Sequence, residues 1–524
     1  MSALRTTCIE RTRNDIQDCL VVGAGINGSA AAAALAGKGA KISIIDKADF
    51  AAATSQESSN LAWGGIKYLE TAEFGLIGAL CKSRNKLMQA YPSQVQEIRF
   101  LTSIAKGFRQ PHGLVYLGAL LYWLMGRCHT RAPRLLSRAA IQRKAPMVNT
   151  AALAGGLEYS DAYFVDNDTR FAFGFIRQAL DRGCNAINYM ELTAAEWQGG
   201  LWHCTLQDQV AGESMAIKAR SLINAAGPYA DRLNALLGIK SRFKHIFSKG
   251  THIIVPQITP TRHILTFFAS DSRPFFMIPM GDRTCIGTTD TRADHAAVEA
   301  TSDEVDFLLA NANALLDLAK PLTPADVIAT RCGVRPLVVK QDAEVGNAEW
   351  TALSRKHEID QHPEQKMLSI YGGKLTDCIN IGEEVAAMIK ASGIPLFPSL
   401  KPWYGEPRPH KKAQFEAAGQ RLRMEADEVS RLWRRYGTGA FRILEKIKDE
   451  PDLAARVIAH FSRAELHYIA ENEMVVHLED FLHRRSRLEL TVHRATLRCD
   501  PGLPEVARIL FGKQAATELN RYLA

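Results

Sequence analysis

Residues 18–46 read DCLVVGAGINGSAAAAALAGKGAKISIID. A short apolar strand runs into GAGING. The helix SAAAAALAGKG follows, rich in the best helix former, and a second strand, KISIID, closes on Asp46. In this GxGxxG, Gly23 permits the tight turn, Gly25 lets backbone N–H groups approach a pyrophosphate, and Gly28 lets helix and strand pack closely, with the helix N-terminus facing the anion. Asp46 stands 18 residues after Gly28, where a carboxylate accepts ribose hydroxyls. Strand, turn, helix, second strand and terminal acid agree, so the stretch predicts an α/β dinucleotide-binding unit and not a plain glycine turn.

A nicotinamide enzyme usually continues into another βαβ unit. Here the chain runs instead into AAATSQESSN (51–60), and small residues return only much later, in Leu222-Ile-Asn-Ala-Ala-Gly-Pro228. Such a late strand, ending in small residues, lets backbone come close to the same cofactor. Residues 71–97 read as helical. EYSDAYFVDNDTRFAFGFIRQALDRG (158–183) reads as a loop leading into a helix, and 186–226 as a meander. THIIVP, RPFFMIPM and RTCIGTTD supply strands of a mixed β domain. Residues 302–320 predict a helix, and KMLSIYGGKLTDCINIGEEVAAMIKASG predicts strand, Gly-Gly turn and helix. A breaker-rich stretch, IPLFPSLKPWYGEPRPHKK, precedes a charged helical tail.

The 524 residues exceed one ordinary core and call for two or three domains. Ten cysteines are scattered without a CxxC pair, and no His cluster has metal spacing, so no metal site or disulfide framework is expected and a reducing compartment fits. The first 18 residues lack the apolar core of a secretory signal. No run reaches the roughly 18 apolar residues of a membrane span. The net charge of +8 has one source: between Glu97 and Glu158 there are nine basic residues (Arg99, Lys106, Arg109, Arg127, Arg131, Arg134, Arg138, Arg143 and Lys144) and no acid. The same segment holds the apolar run Leu114–Met125, too short to span a bilayer. Apolar residues with Tyr116, Tyr122 and Trp123 beside a one-sign basic flank suit an anionic membrane interface. A buried helix with a solvated basic border is the competing reading, and nucleic acid fits less well because no recognition motif accompanies the charge.

The chain resembles FAD-dependent glycerol-3-phosphate dehydrogenases, in the D-amino-acid-oxidase-like flavoprotein superfamily. The resemblance rests on ATSQESSNLAWGGIKYLE (53–70), EYSDAYFVDN, INAAGPYAD, KGTHIIVP, RPFFMIPMGDRTCIGTTDT, CGVRPL, SRKHEI, YGGKLT and LEDFLHRRSRL, which occur in the family's order. It implies a two-dinucleotide-binding-fold FAD domain, a mixed β-sheet substrate domain and a C-terminal helical domain. An oxidoreductase region would cover 1–400, with FAD-binding segments at about 15–97, 150–240 and 328–400 and substrate-domain segments at about 98–149 and 241–327. A linker at 401–410 and a helical domain at 411–524 would follow. The cofactor would be FAD, held by Gly23, Gly25, Gly28, Asp46, Thr54, Ser55, Ser58, Ser59, Gly64, Gly65, Ala226, Gly227 and Gly373. Lys67, Tyr68, Arg335, Arg355 and Lys374 would bind a small phosphorylated polyol, and Arg335, Lys374 and His252 would be catalytic.

The implied reaction is oxidation of sn-glycerol 3-phosphate to dihydroxyacetone phosphate, with hydride to FAD and electrons to membrane quinone. The enzyme would be peripheral on the cytoplasmic face of the inner membrane; a homodimer is left open. Two departures matter. Trp63-Gly-Gly-Ile-Lys67 stands where the family usually has His before Gly-Gly and Arg at the lysine, and arginine grips phosphate bidentately whereas lysine is a point charge. Asp377 adds a negative charge beside an anionic pocket unless it faces away. These departures keep two alternatives alive: a same-fold enzyme for another small hydroxy or amino acid, and a catalytically lapsed flavin-binding membrane-surface protein.

Overall fold

The computed structural model describes residues 2–271, 273–343, 356–398 and 401–524. Cys19–Val22 lies inside a six-stranded sheet, parallel to Ile42–Ile45 on one side and Leu222–Asn224 on the other. Asn185–Ile187 extends one edge. Met367–Tyr371 and the antiparallel Glu358–His362 extend the other. The central strands are short and apolar because they are buried in one cluster with helix Ile26–Ala36 and with side chains of the meander such as Leu192, Leu206 and Ile217. Helix Ile26–Ala36 sits between helices Asp168–Leu180 and Cys378–Ala391, and the methyl side chains of Ala30–Ala34, all fully buried, permit that double packing. The expected meander follows as Met190–Gln198, Leu201–Asp208 and Ser214–Ala219.

A second, ten-stranded mixed sheet is built around Phe243–Pro256, which pairs along most of its length with Ala329–Lys340. Three readings of the sequence change here. Helix Phe74–Ala90 stops before Val95–Ala105, which is a strand. Leu153–Phe164 is also a strand and not a loop, antiparallel to Val95–Ala105. Both Leu153–Phe164 and Ala329–Lys340, expected with the nucleotide-binding segments, hydrogen-bond in the large sheet, because their partners, Val95–Ala105 and Phe243–Pro256, belong to it.

The apolar run forms helix His112–Met125. Ala119 and Tyr122 are buried, but Leu114, Leu117, Leu121 and Leu124 are 53%, 60%, 41% and 59% exposed. Their i, i+3, i+7, i+10 spacing puts them on one face. The run is therefore not a buried helix. Its basic flank is also less bare than the sequence suggests: Arg99 and Lys144 pair with Glu158, Arg131 with Glu97 and Arg109 with Glu70. Arg127, Arg134, Arg138 and Arg143 are exposed and make no ion pair among the described residues.

The tail, from helix Pro409–Arg421 to helix Ala515–Leu523, holds two apolar clusters of its own, one around Phe415, Trp433 and Ile443 and one around Phe461, Phe481 and Val506. Buried ion pairs dock it: Arg170–Glu473 at 2.6 Å, Arg435–Asp166 at 2.7 Å, and Asp49 with Arg484 at 2.6 Å and Arg485 at 2.9 Å. Burial alone would raise the Asp49 carboxyl, yet the guanidiniums of Arg485 and Arg484 hold it below the usual carboxylate range.

Candidate active site

A cavity of about 640 Å³ opens at the C-terminal ends of the central strands. Its floor is the GAGING turn. Gly23 has φ +104, and a Cβ there would stand 2.4 Å from the Ala225 carbonyl oxygen; a Cβ on Gly28 would stand 1.9 Å from the Gly23 carbonyl oxygen. Neither position tolerates a side chain, so strand, turn and helix close onto one another with the N-terminus of Ile26–Ala36 at the cavity. Asp46, Ala226, Gly227 and Gly373 border the same space.

Asp46 accepts from the backbone N–H of Ala24 (2.7 Å, Oδ2) and Ala48 (3.0 Å, Oδ1), leaving each oxygen a further lone pair. Burial pushes its pKa up to about 6 against those two hydrogen bonds. From the 53–70 stretch, Thr54 and Ser55 reach the cavity: the Thr54 hydroxyl donates to Val334 O (3.0 Å), and Ser55 Oγ accepts from Ile26 N (3.0 Å). Ser58, Ser59, Gly64 and Gly65 lie outside its lining. Strand Leu61–Ala62 pairs with Leu153–Phe164 and draws this part of the chain onto the large sheet. These features fit a flavin dinucleotide: an anion-facing helix end, glycines where side chains cannot stand, and a carboxylate with free lone pairs at the ribose position.

Lys67, Tyr68, His252, Arg335 and Lys374 also lie outside the lining of this cavity, but Arg335 and Lys374 are next in sequence to residues that form it. Gly333, Val334 and Pro336 line it, and between them Arg335 donates to Thr288 Oγ1 (3.0 Å) and Ser248 Oγ (3.4 Å) and lies 3.5 Å from Asp290. Gly372 and Gly373 line it as well and lead into Lys374. The Lys374 ammonium is 4.3 Å from the Tyr68 ring centroid and 5.8 Å from that of Trp63; Lys67 lies 5.5 Å from the same Tyr68 ring. The structure thus brings together Lys67, Tyr68 and Lys374, with Trp63 as a wall. Arg355 lies outside the described residues.

His252 is buried opposite Arg331 in the strand pair. Burial, then Arg335 and Arg331, push its pKa down to about 3, which opposes proton acceptance in the free protein. Asp377 has partners of its own: it lies 3.0 Å from His357 Nδ1 and accepts from Ser83 Oγ and Asn380 Nδ2, each at 2.7 Å. Its added charge is compensated there. Burial opposes a charge on His357, but Asp377 and Glu384 raise its pKa.

Sequence reasoning missed several positions. Asn27 Nδ2 donates to Gly372 O (2.9 Å), and Gly372 N donates to His245 Nε2 (3.2 Å), so the Gly-Gly turn is fixed from both sides. Arg331 pairs with Asp168 at 2.9 Å and supports Gln56 through its backbone carbonyl. Asn27, inside GAGING, was within reach of a motif argument; His245 and Arg331 needed the strand register.

A family model described as FAD dependent oxidoreductase matches residues 18–376, and one described as the C-terminal domain of alpha-glycerophosphate oxidase matches 403–517. The glycerol-3-phosphate dehydrogenase of Pseudomonas aeruginosa is 30% identical over 91% of this chain and 92% of its own length. The aerobic glycerol-3-phosphate dehydrogenase of Escherichia coli (strain K12) is 28% identical over 90% and 94%. The crystal structure of the glycerol-3-phosphate dehydrogenase from Bacillus halodurans, complexed with FAD, is 25% identical and superposes with a TM-score of 0.77 over 100% of this chain and 96% of that one.

Proposed function

This chain belongs to the family of FAD-dependent oxidoreductases, and from that premise we propose that it oxidises sn-glycerol 3-phosphate to dihydroxyacetone phosphate and passes the electrons to membrane quinone. The observation that supports the substrate reading is a pair of cations next in sequence to cavity-lining residues: Arg335 follows Gly333 and Val334, and Lys374 follows Gly372 and Gly373. Glycerol-3-phosphate dehydrogenases related over nine-tenths of the chain support the same substrate. Bound FAD supplies the hydride acceptor. The protein's own residues bind and orient. Lys67 and Arg335 neutralise the phosphate, with Arg355 as a further ligand. Lys374, held against Tyr68 and Trp63, stabilises the developing alkoxide. His252 Nδ1 has no hydrogen-bond partner among the described residues. A phosphate beside Arg335 would offset only a lesser cause of the lowered pKa; burial, the larger cause, keeps His252 neutral, which suits it to accept a hydrogen bond from the substrate hydroxyl and leaves alkoxide stabilisation to Lys374 and Arg335.

The exposed leucine face supports peripheral attachment to the cytoplasmic face of the inner membrane, where quinone is found. Among the described residues no helix is long and apolar enough to cross a membrane. Leu114, Leu117, Leu121 and Leu124 would enter the interface while Arg127, Arg134 and Arg138 meet anionic headgroups. In the same reading residues 1–400 carry the chemistry, 401–410 link, and 411–524 form a helical cap.

Anaerobic mixing of the FAD-loaded protein with glycerol 3-phosphate tests the reaction. Bleaching of the flavin absorbance is expected, with dihydroxyacetone phosphate as product. A flavin that stays oxidised with this substrate but bleaches with a small hydroxy or amino acid would move the protein to another substrate.

A further inference from the structure

Gly64 sits directly on the inner face of the leucine helix. A Cβ on Gly64 would stand 2.2 Å from Tyr122 Oη, 3.0 Å from Cys81 Sγ and 3.1 Å from Tyr122 Cζ. The Gly64 N–H donates to Asp161 Oδ1 (3.0 Å), and the Tyr122 hydroxyl donates to the same carboxylate (2.8 Å). Arg84 completes the cluster, donating to Asp161 Oδ1 (2.8 Å) and to Tyr122 Oη (3.2 Å). Asp161, Arg84 and Tyr122 are 0%, 1% and 2% exposed, so no water competes for these bonds. Asn85, the next residue, donates to Gly126 O at the end of the same helix (2.9 Å).

The cluster lies one residue from the substrate loop. Trp63 precedes Gly64 and walls Lys374; Lys67 and Tyr68 follow, and Tyr68 carries Lys374 on its ring. A buried carboxylate that receives a backbone N–H, a phenol and a guanidinium at once is a rigid joint. We propose that Asp161 and Tyr122 are positioning residues: they fix Gly64 to the inner face of helix His112–Met125 and thereby set where Trp63, Lys67 and Tyr68 stand against Lys374 and the substrate. This rests on the substrate reading above. It does not depend on what the outer leucine face touches. It also accounts for glycine at position 64, where a tyrosine hydroxyl occupies the space of a side chain.

The test is a cycle of Tyr122→Phe, Gly64→Ala and the double variant, in FAD-loaded protein. Tyr122→Phe removes one hydroxyl and keeps the ring. It should leave FAD stoichiometry and affinity unchanged and raise KM for glycerol 3-phosphate about three- to tenfold, the worth of one buried hydrogen bond. Gly64→Ala should raise KM further, and adding Tyr122→Phe to it should recover part of that loss, because the 2.2 Å contact is then gone. Such non-additivity reports the contact itself. A purely structural cluster would lower thermal stability and yield but leave KM of the loaded fraction at the wild-type value. That outcome, or additive effects in the cycle, overturns the proposal. Wild-type flavin that glycerol 3-phosphate fails to bleach overturns the substrate reading instead, and the inference with it. Should Gly64→Ala not fold, the KM of Tyr122→Phe alone decides.

Discussion

The ammonium of Lys374 lies 4.3 Å from the centre of the Tyr68 ring, and Lys67 approaches the same ring at 5.5 Å. One aromatic ring thus gathers two cations from distant segments of the chain. The quadrupole of the ring offsets part of their mutual repulsion, and an anion between them offsets the rest. Lys67→Ala and Arg335→Ala should each weaken use of glycerol 3-phosphate by about 1.5–3 kcal/mol, one to two decades in kcat/KM. FAD binding should change little. Lys67→Arg should retain activity, since a guanidinium grips phosphate at two points. Steady-state kinetics beside a flavin titration separates the two effects, and unchanged kinetics in Lys67→Ala would remove that lysine from the site.

Asp46 makes cofactor retention depend on pH. Its pKa of about 6 lies above the ordinary carboxylate value, so the carboxyl is protonated in the empty protein below that pH. Ribose hydroxyls need the ionised form as acceptor. FAD affinity should therefore fall as pH drops through about 6 and level off above it. Fluorescence titration with FAD checks this, and Asp46→Asn should flatten the profile while weakening binding at pH 7.

His252 supplies a stability term of defined sign. Its folded pKa of about 3 is below the unfolded 6.5. The unfolded chain therefore binds the extra proton first, and stability present above pH 6.5 is lost as pH falls toward 3. His460, also pushed down to about 3 by burial, then by Arg435 and Arg431, acts in the same direction. Denaturant unfolding between pH 7 and 4.5 should show a smaller decline in His252→Gln than in wild type. An identical slope would mean that His252 titrates normally.

Membrane attachment is expected to show two components. Anionic vesicles should co-sediment with the protein, and salt should weaken binding only in part. Screening removes the headgroup attraction of up to about 1 kcal/mol per cation and leaves the apolar contact. Replacing Leu117, Leu121 and Leu124 with serine should abolish the salt-resistant fraction without loss of FAD, because these side chains are exposed. Wild-type protein that stays in the supernatant at low salt would end the membrane reading.

The nucleotide turn was legible because its requirements are local: Gly23 and Gly28 answer to neighbours fixed by one βαβ unit. The 53–70 stretch was legible as a site element through its resemblance, yet its own composition did not say that a side chain at Gly64 would meet the Tyr122 hydroxyl. Leu153–Phe164 was obscured for a physical reason. Both of its faces are buried, and Glu158, Ser160 and Asp161 satisfy their charges and hydroxyls inside, so the two-residue alternation that marks a strand is missing. The Arg84–Tyr122–Asp161 cluster joins three ordinary contexts through sheet pairing, and no local signal announces it. In Leu114–Met125 composition gave the apolar run, while which leucines face outward depends on where Tyr122 is anchored.

The pairing of Asp49 with Arg484 and Arg485 bears on how the chain matures. Asp49 lies only three residues beyond Asp46, in the first βαβ unit, and both of its counter-charges lie more than four hundred residues later. While the ribosome is still short of residue 485, the emerging nucleotide-binding half holds a carboxylate that it can bury only at a cost. That half is therefore expected to stay open around residues 49–57 until the tail arrives, with cofactor capture as a late event. Arg485→Met leaves Asp49 with Arg484 at 2.6 Å and should cost less than the ~3–5 kcal/mol of a fully broken buried pair, a loss that the Arg484→Met, Arg485→Met double variant should reach. Chains stopped before residue 480 should emerge colourless and protease-sensitive even though every residue that borders the cofactor cavity is already present.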